Sequence, residues 1–289
     1  MPRNDIMRIL NATVKRLSVV CVLFGVAVAA VPLFGQSNGD TSAGNASSAL
    51  QSSQSTESGE RIFADLIKHN QLRTAQLRQY SALRTYAVTD ISGKVHAKET
   101  VRMEYVAPDK KTFVTLDEQG STLIRRLVLN RLMESEVSAA AGKDLHDSAI
   151  TPANYTFHLL GEEDLGVHRC FVVQAIPKRE DKYLFDGKVW IDSHDFAIVK
   201  IAAHPAKKLS FWVTRADFVR QYEKIGDFWL PARDETLVEV RLYGKKILSI
   251  DHHTDSVNGM TSAALAGQQH PSSAVDTSAV GQKLPAALQ

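Results

Sequence analysis

The side chains best equipped for chemistry stand in four short stretches. His252 and His253 lie in the run Asp-His-His-Thr-Asp, residues 251–255. Imidazole and carboxylate are metal ligands, but a closed zinc site needs three or four of them converging. Adjacent residues of a strand point to opposite faces, so the two rings do not share one ion. The run reads as the polar end of a strand. Asp192, His194 and Asp195 stand in Ile-Asp-Ser-His-Asp-Phe. A His–Asp pair serves catalysis by activating a nucleophile, and the sequence nominates none beside it. Turn aspartates and serines bond their own backbone, which accounts for the stretch. Cys170 lies in the apolar run Arg-Cys-Phe-Val-Val and reads as a buried, inert thiol. Glu162, Glu163 and Asp164 could supply paired carboxylates for proton transfer. Bounded by Gly161 and Gly166, they read as a solvated acidic turn. The expectation is therefore a protein that is not an enzyme and needs no cofactor or metal.

The elements around these stretches carry more information. Residues 182–243 alternate apolar and polar side chains, with a turn signal every eight to twelve positions. That is the pattern of an antiparallel sheet with one face buried and the other in water. The segment holds Trp190, Phe196, Phe211, Trp212, Phe218, Tyr222, Phe228, Trp229 and Tyr243. An apolar concavity of this size without catalytic groups points to binding of greasy ligands. Trp190 is expected to line a core or cavity. Alternation lets only one of Phe211 and Trp212 point inward.

The chain has 289 residues, a formal net charge of +2 and 44% hydrophobic residues, which suits one large domain or two small ones. Its basic residues are scattered, so no nucleic acid is expected as a partner. Arg3, Arg8, Lys15 and Arg16 precede the uncharged apolar residues 17–34. This is the form of a secretory signal peptide, assigned to residues 1–36. The alternative is an uncleaved inner-membrane anchor formed by residues 17–34, because the run is just long enough to span. Val20 before Cys21, with Val22, Leu23 and Phe24 after it, speaks against lipidation. Export would leave Cys170 as the one remaining cysteine, so stability must come from a core rather than from disulfides.

Residues 37–58 are rich in Ser, Gly, Asn, Ala and Gln and read as a flexible linker. Residues 258–289 have the same character and read as a disordered tail. Residues 59–257 form the ordered domain. Residues 60–79 give an amphipathic helix with Ile62, Phe63, Leu66, Ile67, Leu72 and Leu77 on its stripe. Strands follow at residues 83–90, 95–106 and 111–116, then one or two helices at 121–141. A second meander runs over 155–160, 167–176, 187–192, 196–203, 208–222, 229–231 and 235–252. Connections this short exclude parallel crossovers. The fold class is α+β, a curved antiparallel unclosed β-barrel (half-barrel) with helices covering the concave face.

The run Gly187-Lys188-Val189-Trp190-Ile191-Asp192, then Ala197-Ile198-Val199-Lys200-Ile201, then Gly226-Asp227-Phe228-Trp229-Leu230-Pro231 resembles bacterial outer-membrane lipoprotein-sorting proteins. The order of exported helix, meander, helical insertion and second meander is similar to the LolA/LolB-like lipoprotein-carrier fold, over residues 59–257. The resemblance implies a periplasmic carrier that binds acyl chains of lipids or lipoproteins in its half-barrel. The alternative it also allows is an envelope sensor or protein-interaction module with an envelope protein as partner. The apolar pocket and lid candidates are Phe63, Leu66, Ile67, Trp190, Phe211, Trp212, Phe218, Tyr222 and Trp229. If the signal reading holds, N-terminal sequencing of the periplasmic fraction will find a mature start between Ala30 and Ser37. An intact Met1 in the membrane fraction would select the anchor.

Overall fold

The computed structural model describes residues 46–139, 149–181, 183–207, 211 and 213–269. The signal segment, Trp212 and residues 270–289 lie outside the described residues. One antiparallel sheet of eleven strands dominates the molecule. Helix α1 (Ala46–Gln76) leads into β1 (Gln79–Asp90), β2 (Val95–Val106) and β3 (Lys110–Gly120). A helical insertion follows: α2 (Thr122–Ile124), a π-helical turn (Arg125–Leu129) and α3 (Asn130–Ala139). The second meander is β4 (Tyr155–Leu165), β5 (His168–Pro177), β6 (Phe185–Asp192), β7 (Ile198–Pro205), β8 (Val213–Ile225), β9 (Phe228–Val240) and β10 (Gly244–Val257). The short β11 (Met260–Thr261) and α4 (Ser262–Gln269) end the described chain.

Strand order is β3-β2-β1-β10-β9-β8-β7-β6-β5-β4, with β11 on β10. Each meander step pairs neighbours, and the β1–β10 ladder from Tyr80↔Val257 to Asp90↔Lys246 joins the two meanders. The end strands β3 and β4 are not paired to each other, so the sheet is an unclosed half-barrel. Its inner face is covered in two places. Under α1, Ile62, Phe63 and Leu66 pack with Tyr155, Phe157, Val189, Ile201 and Phe218. Under the insertion, Leu129, Leu132 and Met133 pack with Tyr86, Val101, Leu248 and Ile250. Phe63 stacks on Phe157 with ring centroids 3.6 Å apart.

Several boundaries differ from the sequence reading. Helix α1 begins at Ala46, inside the stretch expected to be a flexible linker. Its N-terminal half has partners on β4: Thr56 Oγ1 lies 2.8 Å from His158 Nδ1. A Cβ on Gly59 would stand 2.5 Å from the Phe157 carbonyl oxygen, so only glycine allows the helix to lie this close. Leu72, assigned to the apolar stripe, is exposed. Strand β9 runs unbroken through Pro231, which the sequence reading took as a strand end. Proline lacks a ladder donor, and here it pairs with Tyr222 next to a register shift. The break falls instead between β9 and β10, where Leu242 takes φ 71°.

The expected disordered tail starts with structure. Asn258 Oδ1 accepts from the backbone N–H groups of Arg78 at 2.8 Å and Gln79 at 3.2 Å. Its Nδ2 donates to the Gln76 carbonyl at 3.0 Å, so this one amide joins the end of α1 to the start of β1. Leu265 of α4 is buried against Leu77, Leu230 and Val257. Gly226 takes φ +60° in the β8–β9 turn, and a Cβ there would press on Leu265 at 3.3 Å. One leucine in an Ala/Gly/Gln stretch carries little periodic signal, which is why composition concealed the docking. Leu265→Ala is expected to cost about 2 kcal/mol, the low end for buried leucine because a terminal helix detaches before the domain opens. Urea unfolding of the variant beside the parent measures this. An unchanged midpoint would mean that α4 is not docked.

Candidate functional site

Two features of the inner face could meet a ligand. The first is a cavity of about 790 Å³ at the end of the half-barrel where β7 and β8 diverge. Its lining mixes apolar Pro205, Ala206, Val213 and Ala216 with polar or charged Glu180, His204, Lys207, Thr214, Arg215 and Asp217. Val213 and Ala216 also belong to the core under α1, so the cavity opens directly onto apolar packing. Its size falls within the range of about 300–1,000 Å³ typical of small-molecule sites.

The second feature is a row of buried charges. Inward positions of β1 alternate as Ala82, Arg84, Tyr86 and Val88. Those of β10 are Leu248, Ile250, His252 and Thr254. Register sets Arg84 beside His252, and Asp234 beside both Ile250 and Arg220. Arg84, His252, Asp234 and Arg220 therefore lie on four successive strands. Arg220 Nη2 donates to Asp234 Oδ2 at 2.9 Å, and a second bond joins its Nε to Oδ1. His252 Nε2 is 2.9 Å from the same Asp234 Oδ2. Glu136 reaches down from α3: Arg84 Nη1 donates to its Oε2 at 2.8 Å and Lys111 Nζ at 3.2 Å. Tyr86 donates from its hydroxyl to Oε1 at 3.4 Å.

Burial sets the electrostatics. It opposes the charge on Glu136, but Arg84 and Lys111 overcome it and hold this carboxyl down at about 2. Burial likewise opposes the Asp234 carboxylate, and Arg220 and then His252 keep its pKa below the ordinary range. For His252 burial lowers the pKa, and the Arg84 charge adds to this against the pull of Asp234. Burial also pushes Tyr222, beside the Arg220–Asp234 pair, up to about 12. Ion pairs in such a place stabilise little relative to apolar packing, but removing one partner costs about 3–5 kcal/mol because the other charge stays buried. The sequence reading placed His252 at a polar strand end. The structure corrects this: the residue is buried inside the sheet's interior, while His253 takes the other face as alternation requires.

The residues expected to line the pocket divide among three places. Phe63, Leu66 and Phe218 are buried together under α1, with Ile67 partly buried against them. Trp190 and Trp229 belong to a different cluster, with Cys170, Val172, Ala197 and Val199. Val189 and Ile191 flank Trp190 and join the core under α1, so Trp190 points to the outer face. There its Nε1 donates to Glu163 at 2.8 Å and Lys200 sits 4.8 Å over its ring. Trp229 Nε1 donates to Asp195 Oδ2 at 2.9 Å. Tyr222 touches both clusters from a bulge. Phe211 is exposed, with the Arg241 guanidinium 4.3 Å above its ring.

The remaining chemical stretches are structural. Asp192 Oδ1 accepts from the backbone of His194 at 2.9 Å and Asp195 at 2.7 Å, a self-bonded turn. Cys170 is buried, and burial raises its thiol to about 11. Glu162 and Glu163 belong to β4 rather than to a turn, because the strand runs on to Leu165. Glu162 pairs with Arg169 across the hairpin. The signal that could have exposed the buried row is an Arg, a Tyr and a His at period-two positions of otherwise apolar strand faces.

The fold and site define an α+β half-barrel with a helix-covered interior. Residues 124–241 match a family model described as "Uncharacterized protein". No curated protein matches. Among solved structures the chain is similar to a DUF1329 family protein from Desulfovibrio piger, at 13% identity and TM-score 0.41, over 73% of this chain and 97% of that one. It is similar also to an outer membrane lipoprotein-sorting protein domain from Vibrio parahaemolyticus, at 13% identity and TM-score 0.37, over 74% and 98%. A LolA superfamily protein from Nitrosomonas europaea is matched at 10% identity and TM-score 0.30, over 61% and 84%. The fold class itself rests on the strand order. No helix among the described residues is long and apolar enough to cross a membrane.

The charges predict a two-stage acid response. His252 is lowered in the fold, so the unfolded chain binds the proton first. Its stabilising effect is complete above about pH 6.5 and declines as pH falls from there toward the folded pKa. Glu136 contributes above its ordinary 4.5, and that contribution is lost as pH falls through about 2. Urea midpoints at pH 7.5 and 5.5 should differ more for the parent than for His252→Gln. An equal loss in both would remove His252 from the first stage.

Proposed function

We propose that this is a periplasmic carrier without enzymatic activity that binds the acyl chain of a lipid or lipoprotein inside the half-barrel. The observation that supports it is the cavity of about 790 Å³, two of whose lining residues, Val213 and Ala216, belong to the core beneath α1. An acyl chain entering there would run along the inner face and displace α1. That exchange is favourable by magnitude. Uncovering Ile62, Phe63 and Leu66 loses about 1.5–3 kcal/mol each, and each buried methylene returns about 0.8 kcal/mol, so roughly ten methylenes suffice. Release then follows from reclosure of α1 once an acceptor takes the chain. Export, the periplasmic location and the pocket role of Phe63, Leu66, Ile67 and Phe218 belong to the same proposal.

A second reading has an observation of its own. Phe63, Phe157, Phe185 and Phe218 already pack together on the inner face under α1. A permanently filled half-barrel would be an envelope sensor or protein-interaction module that uses its surface. A lipid titration separates the two. The delipidated carrier binds a fluorescent fatty acid saturably at one per chain, whereas the filled module is indifferent to it. Mass spectrometry of lipid extracted from natively purified protein should find an acyl species.

The cover is tested by fixing it. Thr56 and His158 lie across the α1–β4 contact at 2.8 Å. A cysteine crosslink from Thr56→Cys to His158→Cys should slow exchange of bound probe at least ten-fold, and reduction should restore it. Exchange at the uncrosslinked rate would make α1 a fixed wall.

A further inference from the structure

We infer that Arg84, Lys111 and Tyr86 form a seat for the anionic head group of an amphiphile, and that Glu136 occupies this seat in the closed protein. The inference rests on the acyl-binding reading and specifies the ligand's other end. Three observations carry it. The first is the charge of the buried row. Arg84, Lys111 and Arg220 stand against Glu136 and Asp234, so cations exceed carboxylates. Glu99, a further buried carboxylate on the inner face of β2, accepts from Thr115 rather than from these cations. Asp234 is engaged by Arg220 and His252, which leaves Glu136 as the anion of the Arg84–Lys111 end.

The second is where the partners reside. Arg84 and Tyr86 are on β1 and Lys111 is on β3, all fixed in the sheet. Glu136 is on α3, in an insertion that lies over the sheet through Leu129, Leu132 and Met133. The cations therefore stay in place if α3 lifts, and the carboxylate leaves. Arg84 is 2% exposed, its Nε has no hydrogen-bond partner, and it cannot lose its proton. A lifted α3 without a substitute anion leaves that charge stranded, at a cost the protein avoids by accepting another oxyanion. A carboxylate or phosphate oxygen matches guanidinium and ammonium donors equally well.

The third is continuity with the cavity. Ala216, Phe218 and Arg220 share the inner face of β8. At about 3.3 Å per residue, Arg220 stands roughly 13 Å along the strand from Ala216 of the cavity lining, with apolar Phe218 between them. The row from Arg220 to Arg84 then crosses β9 and β10 to the seat. An amphiphile lying along this path meets apolar packing for its chain and the row's unmatched positive charge for its head.

The experiment compares probes of one chain length that differ in head group: a fatty acid, its methyl ester, and the corresponding lysophosphatidate. Each is titrated against the parent, Lys111→Gln and Glu136→Gln, with circular dichroism confirming the fold of each variant. The parent should bind at least one anionic probe ten-fold or more tightly than the ester. Preference for the fatty acid identifies a carboxylate head, and preference for the lysophosphatidate a phosphate head. Glu136→Gln removes the resident carboxylate and should tighten the preferred anion several-fold while leaving the ester unchanged. Lys111→Gln should weaken the anion and spare the ester. Equal binding of all three probes by the parent overturns the seat and leaves the acyl carrier standing. Equal effects of either substitution on acid and ester also overturn the seat. Binding of none of the probes overturns both.

Discussion

A guanidinium that strand alternation turns inward must find a carboxylate, and the Arg84–Glu136 bond is how this fold meets that demand. Arg84 shares its face of β1 with Ala82, Tyr86 and Val88, so it cannot reach water without flipping the whole strand. Its partner comes from no neighbouring strand. It comes from α3, and this places the insertion over β1, β2 and β10 rather than elsewhere on the sheet. Leu129, Leu132 and Met133 supply the contact area, but area alone is not directional. The charge pair supplies the register. Asp234, with Arg220 and His252, extends the same solution across three more strands.

The unclosed sheet imposes the complementary demand. Ten strands in succession expose one broad apolar face, and without closure that face needs another cover. Two helices share the task, each over its own patch, and the charged row lies among the strands between those patches. Helix α1 is held to the sheet at two places. Thr56 meets His158 in its N-terminal half, while His69 and Arg73 bond the carbonyls of Asp195 and Phe196 near its finish. Between these places Gly59 and Phe63 bring helix and strand into close contact.

How far the sequence revealed this depends on the kind of signal. The stripe of Ile62, Phe63 and Leu66 located the helix, and period-two alternation with its turns located nearly every strand, because both patterns are local. Alternation states which residues share a face. It does not state which face is inner: Trp190, expected to line a core or cavity, is buried in the cluster with Cys170 and Trp229, while Val189 and Ile191 hold the inner side. The bulge at Tyr222 shifts the phase again. The buried row was hidden for a further reason: its two halves, Arg84, Lys111 and Glu136 on one side and Arg220, Asp234 and His252 on the other, are far apart in sequence and are brought side by side by the β1–β10 ladder. The start of α1 and the docking of Leu265 were hidden by composition, since Ser, Ala, Gln and Gly describe a linker and a weakly anchored helix equally well.

That β1–β10 ladder also fixes the order in which the chain can assemble. Tyr80 pairs with Val257, so the first strand of the sheet waits for one of the last. Until β10 has emerged, β1 keeps a bare row of hydrogen-bonding groups, and the β1–β3 meander is a small sheet with an open inner edge. Closing so long a loop is slow, and exposed strand edges invite pairing with other chains in the meantime. A polypeptide that passes through a membrane from its N-terminus would meet this problem in its sharpest form. Its leading strands would arrive first and stand incomplete while the rest is threaded after them. A chain of this topology on that route would depend on something that shields its early strands until the C-terminal part arrives.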